Sequence, residues 1–207
     1  PENEEIRHLI PVLEEICTWG IPVSVDTYKP GVMRAALAVG ATMINDITGM
    51  VDPGAILAVA ATDCAVCLMH MQGRPGTMQQ APYYQDVISE VHDFLSLAVG
   101  RCRRAGIIDS RIVVDPGFGF GKTLEHNVAL FRALTAAGCH DLPMLVGVSR
   151  KSMLGAITGR PVEQRQAASV AAALIAAQKG AKILRVHDVA ATRDALAVWD
   201  AIEKGDK

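Results

Sequence analysis

The sequence predicts an α/β protein with parallel strands, and three observations predict it. Short apolar runs rich in Val and Ile alternate with helical stretches of about 10 to 20 residues, which implies parallel pairing through crossover connections. Half of the residues are hydrophobic but only 4% are aromatic, a balance suited to helices packed closely on buried strands. Each apolar run also ends in polar residues at its carboxyl side.

The predicted elements follow one another in a regular order. A helix over 4–19 opens the chain, because its apolar residues fall on one stripe at helical spacing. No low-complexity linker interrupts the chain, so one domain over 1–207 is predicted. Apolar, β-branched runs predict six strands, at 21–25, 42–44, 65–69, 111–114, 144–148 and 182–186. Periodicity near 3.6 residues predicts the helices between them, at 30–39, 53–61, 85–105, 125–138, 163–180 and 189–203.

Polar groups stand at the carboxyl ends of all six predicted strands. In a TIM (β/α)8 barrel these ends converge on one mouth, whereas an open doubly wound sheet uses two or three strand ends at its switch point. We therefore predict the barrel, with about six of its eight strands present and the domain N-terminally incomplete. An isolated chain with two unpaired strand edges is expected to associate. The polar groups are Asp26-Thr27, Asn45-Asp46, His70, Asp115, Ser149-Arg150-Lys151 and Arg185 with His187-Asp188.

Composition and charge narrow the classes of function. A formal net charge of −2 provides no global field for nucleic acid or an anionic membrane, so any anion site must be local. No apolar run reaches the roughly 20 residues of a membrane span, and the acidic start does not resemble a signal peptide. Five scattered cysteines indicate reduced thiols. These features predict a cytoplasmic protein.

Two irregular segments follow the third and fourth predicted strands. Residues 115–123 place alternating glycines and two Phe beside Asp115. They do not form a nucleotide phosphate loop, because Pro116 stands where that loop requires Gly. The segment either turns tightly around a ring-shaped ligand or is an ordinary loop with a capping Asp. Residues 72–84 are a lid or substrate wall, or else a passive surface loop.

Basic side chains near the predicted mouth indicate a local anion site. Arg binds phosphate or carboxylate bidentately, and Lys acts as a point charge. The alternative is that these groups neutralise Asp26 and Asp115, and the two interpretations are compatible. The basic residues are Lys122, Arg150, Lys151 and Arg185.

The remaining histidines and the CxxC spacing have simpler interpretations. Cys64 and Cys67 are predicted to be core thiols, because residues three apart on a strand face opposite sides. His70 and His187 lie at the predicted mouth, where each is a functional or a structural group. Surface positions on helices or helix ends are predicted for His8, His92, His126 and His140.

Six ordered segments together resemble the dihydropteroate synthase family. They are 24–27 (SVDT), 44–46 (IND), 69–73 (MHMQG) with 77–79 (TMQ), 115–122 (DPGFGFGK), 149–152 (SRKS) and 185–189 (RVHDV). The match extends from the first helix to the last, and the family's fold is the barrel. The resemblance implies condensation of 4-aminobenzoate with 6-hydroxymethyl-7,8-dihydropterin pyrophosphate, giving 7,8-dihydropteroate and pyrophosphate for folate synthesis. It also implies Mg²⁺ and a homodimer.

The resemblance further implies roles for individual residues. Asp26, Asn45 and Asp115 would accept the amino and ring N–H groups of the pterin. Lys151 would donate to the pterin carbonyl and border the aminobenzoate pocket. The predicted catalytic residues are Asp26, Asp115 and Lys151, with Asp26 stabilising positive charge on the pterin methylene. The remaining substrate-binding residues are Arg185 and His187 at the pyrophosphate, and Gly119, Phe120 and Ser149 beside the aminobenzoate.

The sequence departs from the family pattern at its start. The family's first strand carries an Asn that engages Mg²⁺ and pyrophosphate, and two flexible loops follow its first and second strands. These have no counterpart here and are expected to precede Pro1, so no residue of this sequence is predicted to ligate a metal. Two alternatives remain open: a pterin-dependent methyltransferase, which would need no pyrophosphate site, and a non-catalytic pterin-binding fragment. All of these functions use small-molecule partners.

Overall fold

The computed structural model describes residues 1–138 and 141–205, with Lys204 described by its backbone alone. All strand pairs are parallel, and six strands alternate with helices as the sequence predicts. The strands are β1 (Ser24–Asp26), β2 (Met43–Asp46), β3 (Ala65–Met69), β4 (Ile112–Asp115), β5 (Leu145–Val146) and β6 (Ile183–Leu184). The helices are α1 (Glu2–Ile16), α2 (Pro30–Ala38), α3 (Pro53–Ala60), α4 (Val87–Arg104), α5 (Leu124–Arg132), α6 (Leu134–Ala137), α7 (Ser152–Thr158), α8 (Gln166–Gln178) and α9 (Val189–Lys204).

The strands lie side by side in chain order. β1 to β4 form one sheet, β5 and β6 form a second, and a single parallel bridge between Val114 and Met144 connects β4 to β5. Across residues 1–138 and 141–205, no strand pairing joins β6 back to β1. The architecture is thus a parallel α/β barrel that is not closed.

Several helix bounds differ from those predicted. The stretch 125–138 is two helices rather than one, since the backbone leaves helical geometry at Ala133. The opening helix ends at Ile16 and is followed by a 3-10 turn at Cys17–Trp19. α7 was not predicted, because seven residues give too few turns for a periodic pattern. α8 begins at Gln166 rather than 163, because a 3-10 turn after Pro161 precedes it.

Strand alternation divides the apolar residues into two groups. One group packs between the strands and the surrounding helices, with Ile44, Leu68 and Val114 among its fully buried members. The other is a small cluster of Cys67, Val113 and Leu145, with Met43 packed against it. Because neighbours on a strand point to opposite sides, this small cluster occupies the inner side of the barrel. Cys64 and Cys67 accordingly lie in different groups, as predicted for core thiols.

Candidate active site

The strand register brings three of the predicted site residues together on the inner side. Asp26 of β1 is paired in register with Asn45 of β2, which is in turn paired with Cys67 of β3. Asp115 ends β4 two residues after Val113 and therefore faces the same side. The small apolar cluster of the inner side lies beneath two carboxylates and one amide, those of Asp26, Asp115 and Asn45.

Hydrogen bonds orient these three polar groups. Nδ2 of Asn45 donates to Oδ1 of Asp26. Oδ1 of Asn45 is buried, and it alone among the buried side-chain nitrogens and oxygens of the structurally described residues has no hydrogen-bond partner. Oδ1 of Asp115 accepts the backbone N–H of Gly117 at 2.7 Å. Burial raises the pKa of Asp115, and the Lys151 charge opposes that effect. The group therefore presents acceptors, with one amide oxygen unsatisfied.

Basic residues line a cavity of about 560 Å³ beside these acceptors. Nη2 of Arg185 donates to Oδ2 of Asp26 at 2.7 Å, which joins the ends of β6 and β1. Nδ1 of His187 lies 2.9 Å from Oγ of Ser149, which also accepts the His187 backbone N–H at 3.2 Å. The cavity lining is Gly147, Ser149, Arg150, Lys151, Val162, Arg185, Val186 and His187.

Lys151 lies between the three acceptor groups and the cavity that it lines. Its ammonium donates to the Phe118 carbonyl oxygen and lies 4.8 Å from the centroid of the Phe120 ring. Its alkyl chain covers Gly119, where a Cβ would come within 3.3 Å of the Lys151 Cδ. Burial lowers the pKa of Lys151 to about 8, although Asp115 opposes the shift. Gly119, Phe120 and Lys151 thus contact one another and form one wall; that this wall binds aminobenzoate stays a prediction.

The two interpretations of the basic residues both describe part of the structure. Arg185 neutralises Asp26 and also lines the cavity. Arg150 forms a bidentate ion pair with Asp188, through Nε at 3.2 Å and Nη2 at 2.8 Å. Lys122 lies 2.9 Å from His70 at the end of β3, but it is buried behind the glycine-rich loop and does not line the cavity. Sequence position alone does not reveal the direction of a loop side chain.

The segment 72–84 packs against the glycine-rich loop. Nε2 of Gln79 donates to the Gly119 carbonyl oxygen, and the Tyr84 hydroxyl donates to the Gly121 carbonyl oxygen at 2.8 Å. The segment is thus attached to the glycine-rich loop at two points, and its role as a substrate wall or a passive loop stays a prediction. His8 is exposed, whereas His92 and His126 are half-buried and His140 lies outside the described residues.

Gly117 marks the closest approach of the loop to β3. Its φ is +69°, and a Cβ there would collide with the His70 carbonyl oxygen. Gly106 has a similar φ of +84°, but a Cβ there would meet no atom within 4 Å. We expect Gly106→Ala to lower the free energy of unfolding by about 1 kcal/mol, because of the strain of a positive φ alone. Gly117→Ala should cost about 1 to 3 kcal/mol more, because the clash adds to the same backbone strain.

Urea unfolding of the two glycine variants tests this comparison. Equal midpoints for Gly106→Ala and Gly117→Ala would show that the loop does not press against His70.

Comparison with known proteins agrees with this geometry. Residues 1–187 match the family model described as pterin binding enzyme. Dihydropteroate synthase of Escherichia coli strain K12 is 48% identical over 200 residues, which are 96% of this chain and 71% of that protein. The crystal structure of Burkholderia cenocepacia dihydropteroate synthase with 7,8-dihydropteroate has 51% identity and a TM-score of 0.92, covering 99% of this chain and 76% of its own.

A third similar structure contains 4-aminobenzoic acid. The Xanthomonas albilineans dihydropteroate synthase structure with 4-aminobenzoic acid is 50% identical, has a TM-score of 0.92, and covers 100% of this chain and 74% of its own. These matches confirm the barrel class and the resemblance seen in the sequence motifs. The chain therefore belongs to the dihydropteroate synthase family of pterin-binding transferases.

Proposed function

We propose that this chain condenses 4-aminobenzoate with 6-hydroxymethyl-7,8-dihydropterin pyrophosphate, forming 7,8-dihydropteroate and pyrophosphate. The observation that carries the proposal is the unsatisfied Oδ1 of Asn45, which is buried between the carboxylate sites of β1 and β4. A buried acceptor without a partner is costly, so a ligand with N–H groups relieves it. The adjoining basic cavity then suits an anionic leaving group.

The acceptors suit the edge of a pterin. That edge presents an amino group and a ring N–H, and these donate charge-assisted hydrogen bonds to carboxylates. Asp115 is 5% exposed and Asn45 is 8% exposed, so their bonds to a pterin are shielded from water. Lys151 is a donor rather than an acceptor, and its ammonium is able to donate to the pterin carbonyl. We assign pterin binding to Asp26, Asn45, Asp115 and Lys151.

The basic cavity suits the pyrophosphate. In the reaction the bond between the pterin methylene carbon and the pyrophosphate oxygen breaks, and pyrophosphate leaves with the electron pair. Arg185 and His187 would hold the leaving group, with Ser149 fixing the His187 ring. The positive charge left on the methylene group is stabilised by the carboxylate of Asp26. The aminobenzoate nitrogen then bonds to that carbon and releases a proton.

The wall of Gly119, Phe120 and Lys151 suits the aminobenzoate. The Phe120 ring offers a flat face, and Gly119 leaves room for the Lys151 chain to lie against the loop. Ser149 borders the same space from the cavity side. We therefore place 4-aminobenzoate between this wall and the pterin methylene.

Other features of the family stay predictions for this chain. Across the structurally described residues, no group of three or more His, Cys, Asp or Glu is arranged to hold a metal, so we assign no residue here to Mg²⁺. A homodimer and a cytoplasmic location are further proposals. No helix in the described part of the chain is long and apolar enough to cross a membrane.

A direct assay tests the function. The chain is incubated with both substrates, and dihydropteroate and pyrophosphate are measured together. Stoichiometric appearance of both products supports the proposal. The open edge between β6 and β1 favours a second candidate, a barrel that binds pterin without turnover. Pterin binding by calorimetry without product would support that candidate, and methyl transfer without pyrophosphate release would support a methyltransferase.

Arg185→Ala is expected to show which part of the first substrate Arg185 binds, the pterin or the pyrophosphate. It should weaken binding of the pterin pyrophosphate about ten- to hundredfold, because a charged hydrogen-bond donor to the pyrophosphate is lost. Affinity for 6-hydroxymethyl-7,8-dihydropterin, which lacks that group, should change little. Arg193→Ala, on the exposed surface of α9, is the matched control. Equal losses for both ligands would remove Arg185 from the pyrophosphate site.

A further inference from the structure

The Lys122 ammonium lies behind the glycine-rich loop and away from the basic cavity. Lys122 is only 4% exposed. Its Nζ lies 2.9 Å from the Gly117 carbonyl oxygen, 3.1 Å from the Phe120 carbonyl oxygen and 2.9 Å from Nδ1 of His70. A lysine ammonium has three N–H donors, so these partners use all of them. Lys122 is therefore satisfied by the protein itself and is not directed at a substrate.

His70 is an acceptor in this arrangement. Because the ammonium can only donate, Nδ1 of His70 carries the lone pair and the ring proton is on Nε2. Burial and the Lys122 charge lower the pKa of His70 to about 3, so the ring is neutral. The ring packs edge-on against Phe94, with 5.0 Å between centroids. A rigid, neutral acceptor at the end of β3 thus fixes the position of the ammonium.

One residue connects Lys122 to the pterin site. The Gly117 carbonyl accepts from Lys122, while the Gly117 N–H donates to Oδ1 of Asp115 at 2.7 Å. The second carbonyl held by Lys122 belongs to Phe120, whose ring lies under the Lys151 ammonium. The orientation of Asp115 and that of the Phe120 wall therefore depend on the same buried side chain.

The charge of Lys122 also acts on Asp115. Burial raises the pKa of Asp115, and the charges that oppose this are Lys151, Lys122 and Arg185, together with the Gly117 N–H. Burial lowers the pKa of Lys122 to about 7, with Asp115 opposing that shift and Lys151 adding to it. Lys151 and Arg185 both line the substrate cavity, whereas Lys122 is enclosed by protein atoms.

We propose that Lys122 is a positioning residue of the pterin site: it fixes the loop that orients Asp115 and Phe120, and its charge keeps Asp115 ready to accept pterin N–H groups. The inference rests on the proposed function, since it concerns how the same pterin is held. Lys122 would act without touching either substrate. Asn127 also holds the loop: its Oδ1 accepts the Gly119 N–H at 2.7 Å, and its Nδ2 donates to the Lys122 carbonyl oxygen at 3.3 Å.

Two substitutions separate the effect of the Lys122 charge from the effect of its hydrogen bonds. Lys122→Met removes both, whereas Lys122→Gln removes the charge and keeps an N–H donor group. Lys182→Met, at an exposed position before β6, is the control. Calorimetry with 6-hydroxymethyl-7,8-dihydropterin between pH 5 and 8 measures affinity, and circular dichroism verifies folding. Carbon-13 NMR follows the titration of the Asp115 carboxyl in the unliganded protein.

We expect Lys122→Met to weaken pterin binding at least tenfold at pH 7, and Lys122→Gln to recover part of that loss. Removing the positive charge should raise the pKa of Asp115 further in both variants, because the Lys122 charge opposes the effect of burial. Protonation gives Asp115 an O–H donor and removes the charge that strengthens its hydrogen bonds from pterin N–H groups, so pterin binding should begin to weaken at a higher pH as the solution is acidified. Lys182→Met should behave like the unchanged chain.

The outcomes separate this inference from the proposed function. No pterin binding by the unchanged chain would overturn the proposed function, while the Asp115 titration would still test Lys122. An unchanged Asp115 titration in a folded Lys122→Gln variant would overturn the inference. So would pterin affinities in both variants equal to that of the control. If Lys122→Met does not fold, Lys122→Gln and its titration decide the question.

Discussion

Asp115→Asn is expected to weaken pterin binding by about 2 to 5 kcal/mol, roughly thirtyfold to several thousandfold. The Asn amide has one acceptor oxygen where the carboxylate has two. The Gly117 N–H, which now donates to Oδ1 of Asp115, would take that oxygen and leave the amide NH₂ facing the pterin donors. A donor would then meet a donor in a buried site, and this costs more than losing one hydrogen bond.

Calorimetry with the dihydropterin measures the Asp115→Asn effect directly. Asp63→Asn is the matched control, because it makes the same chemical change at an exposed position before β3. Circular dichroism verifies that both variants fold. Unchanged affinity in a folded Asp115→Asn variant would leave Asp115 with only a structural role, as the acceptor for the glycine-rich loop.

Lys151→Ala is expected to reduce both pterin affinity and turnover, because Lys151 lies between the proposed pterin acceptors and the proposed aminobenzoate wall. Loss of a charged donor together with its alkyl contact to Gly119 should lower kcat/KM about a hundredfold. Lys151→Met keeps most of the alkyl chain and removes only the charge. Compared with Lys151→Ala, Lys151→Met should therefore restore the KM for aminobenzoate more fully than the affinity for pterin.

The pH dependence of pterin binding offers a second test of Lys151. Its pKa is lowered to about 8, so the ammonium is present below that pH and is lost as the pH rises through it. Binding that depends on the charge should weaken above about pH 8 in the unchanged chain, and this decrease should disappear in Lys151→Met. A decrease of equal size in both proteins would mean that another group titrates there.

The sequence predicts much of this site because strand topology decides it. Asp26, Asn45 and Asp115 lie at the carboxyl ends of the parallel strands β1, β2 and β4, and residues at these ends must lie at one edge. The two-residue alternation then decides which side of the strand each one faces. Neither step requires knowledge of loop geometry, so both are accessible from the residues alone.

The rest of the site depends on contacts that periodicity does not specify. Lys122 and Lys151 both follow strands and both lie next to short apolar or glycine-rich stretches. The structure nevertheless buries the first against His70 and places the second at the cavity. Side chains on loops are oriented by tertiary contacts, and α7 is too short to leave a pattern. The pairing of Arg150 with Asp188 likewise depends on where two separate loops meet.

The ion pair between Arg185 and Asp26 places an internal anion beside the proposed pyrophosphate site, where Asp26 competes with a phosphate group for Nη2 of Arg185. Both side chains are well exposed, at 62% and 47%, and such exposed pairs contribute only about 0 to 1 kcal/mol. Exchanging the carboxylate for pyrophosphate therefore costs at most about fivefold in affinity. If pyrophosphate binds there as proposed, the Arg185 guanidinium can pair again with the Asp26 carboxylate when pyrophosphate leaves. We therefore expect product release to be an exchange of ionic partners at Arg185, which would reduce the tendency of a cationic cavity to retain its own product.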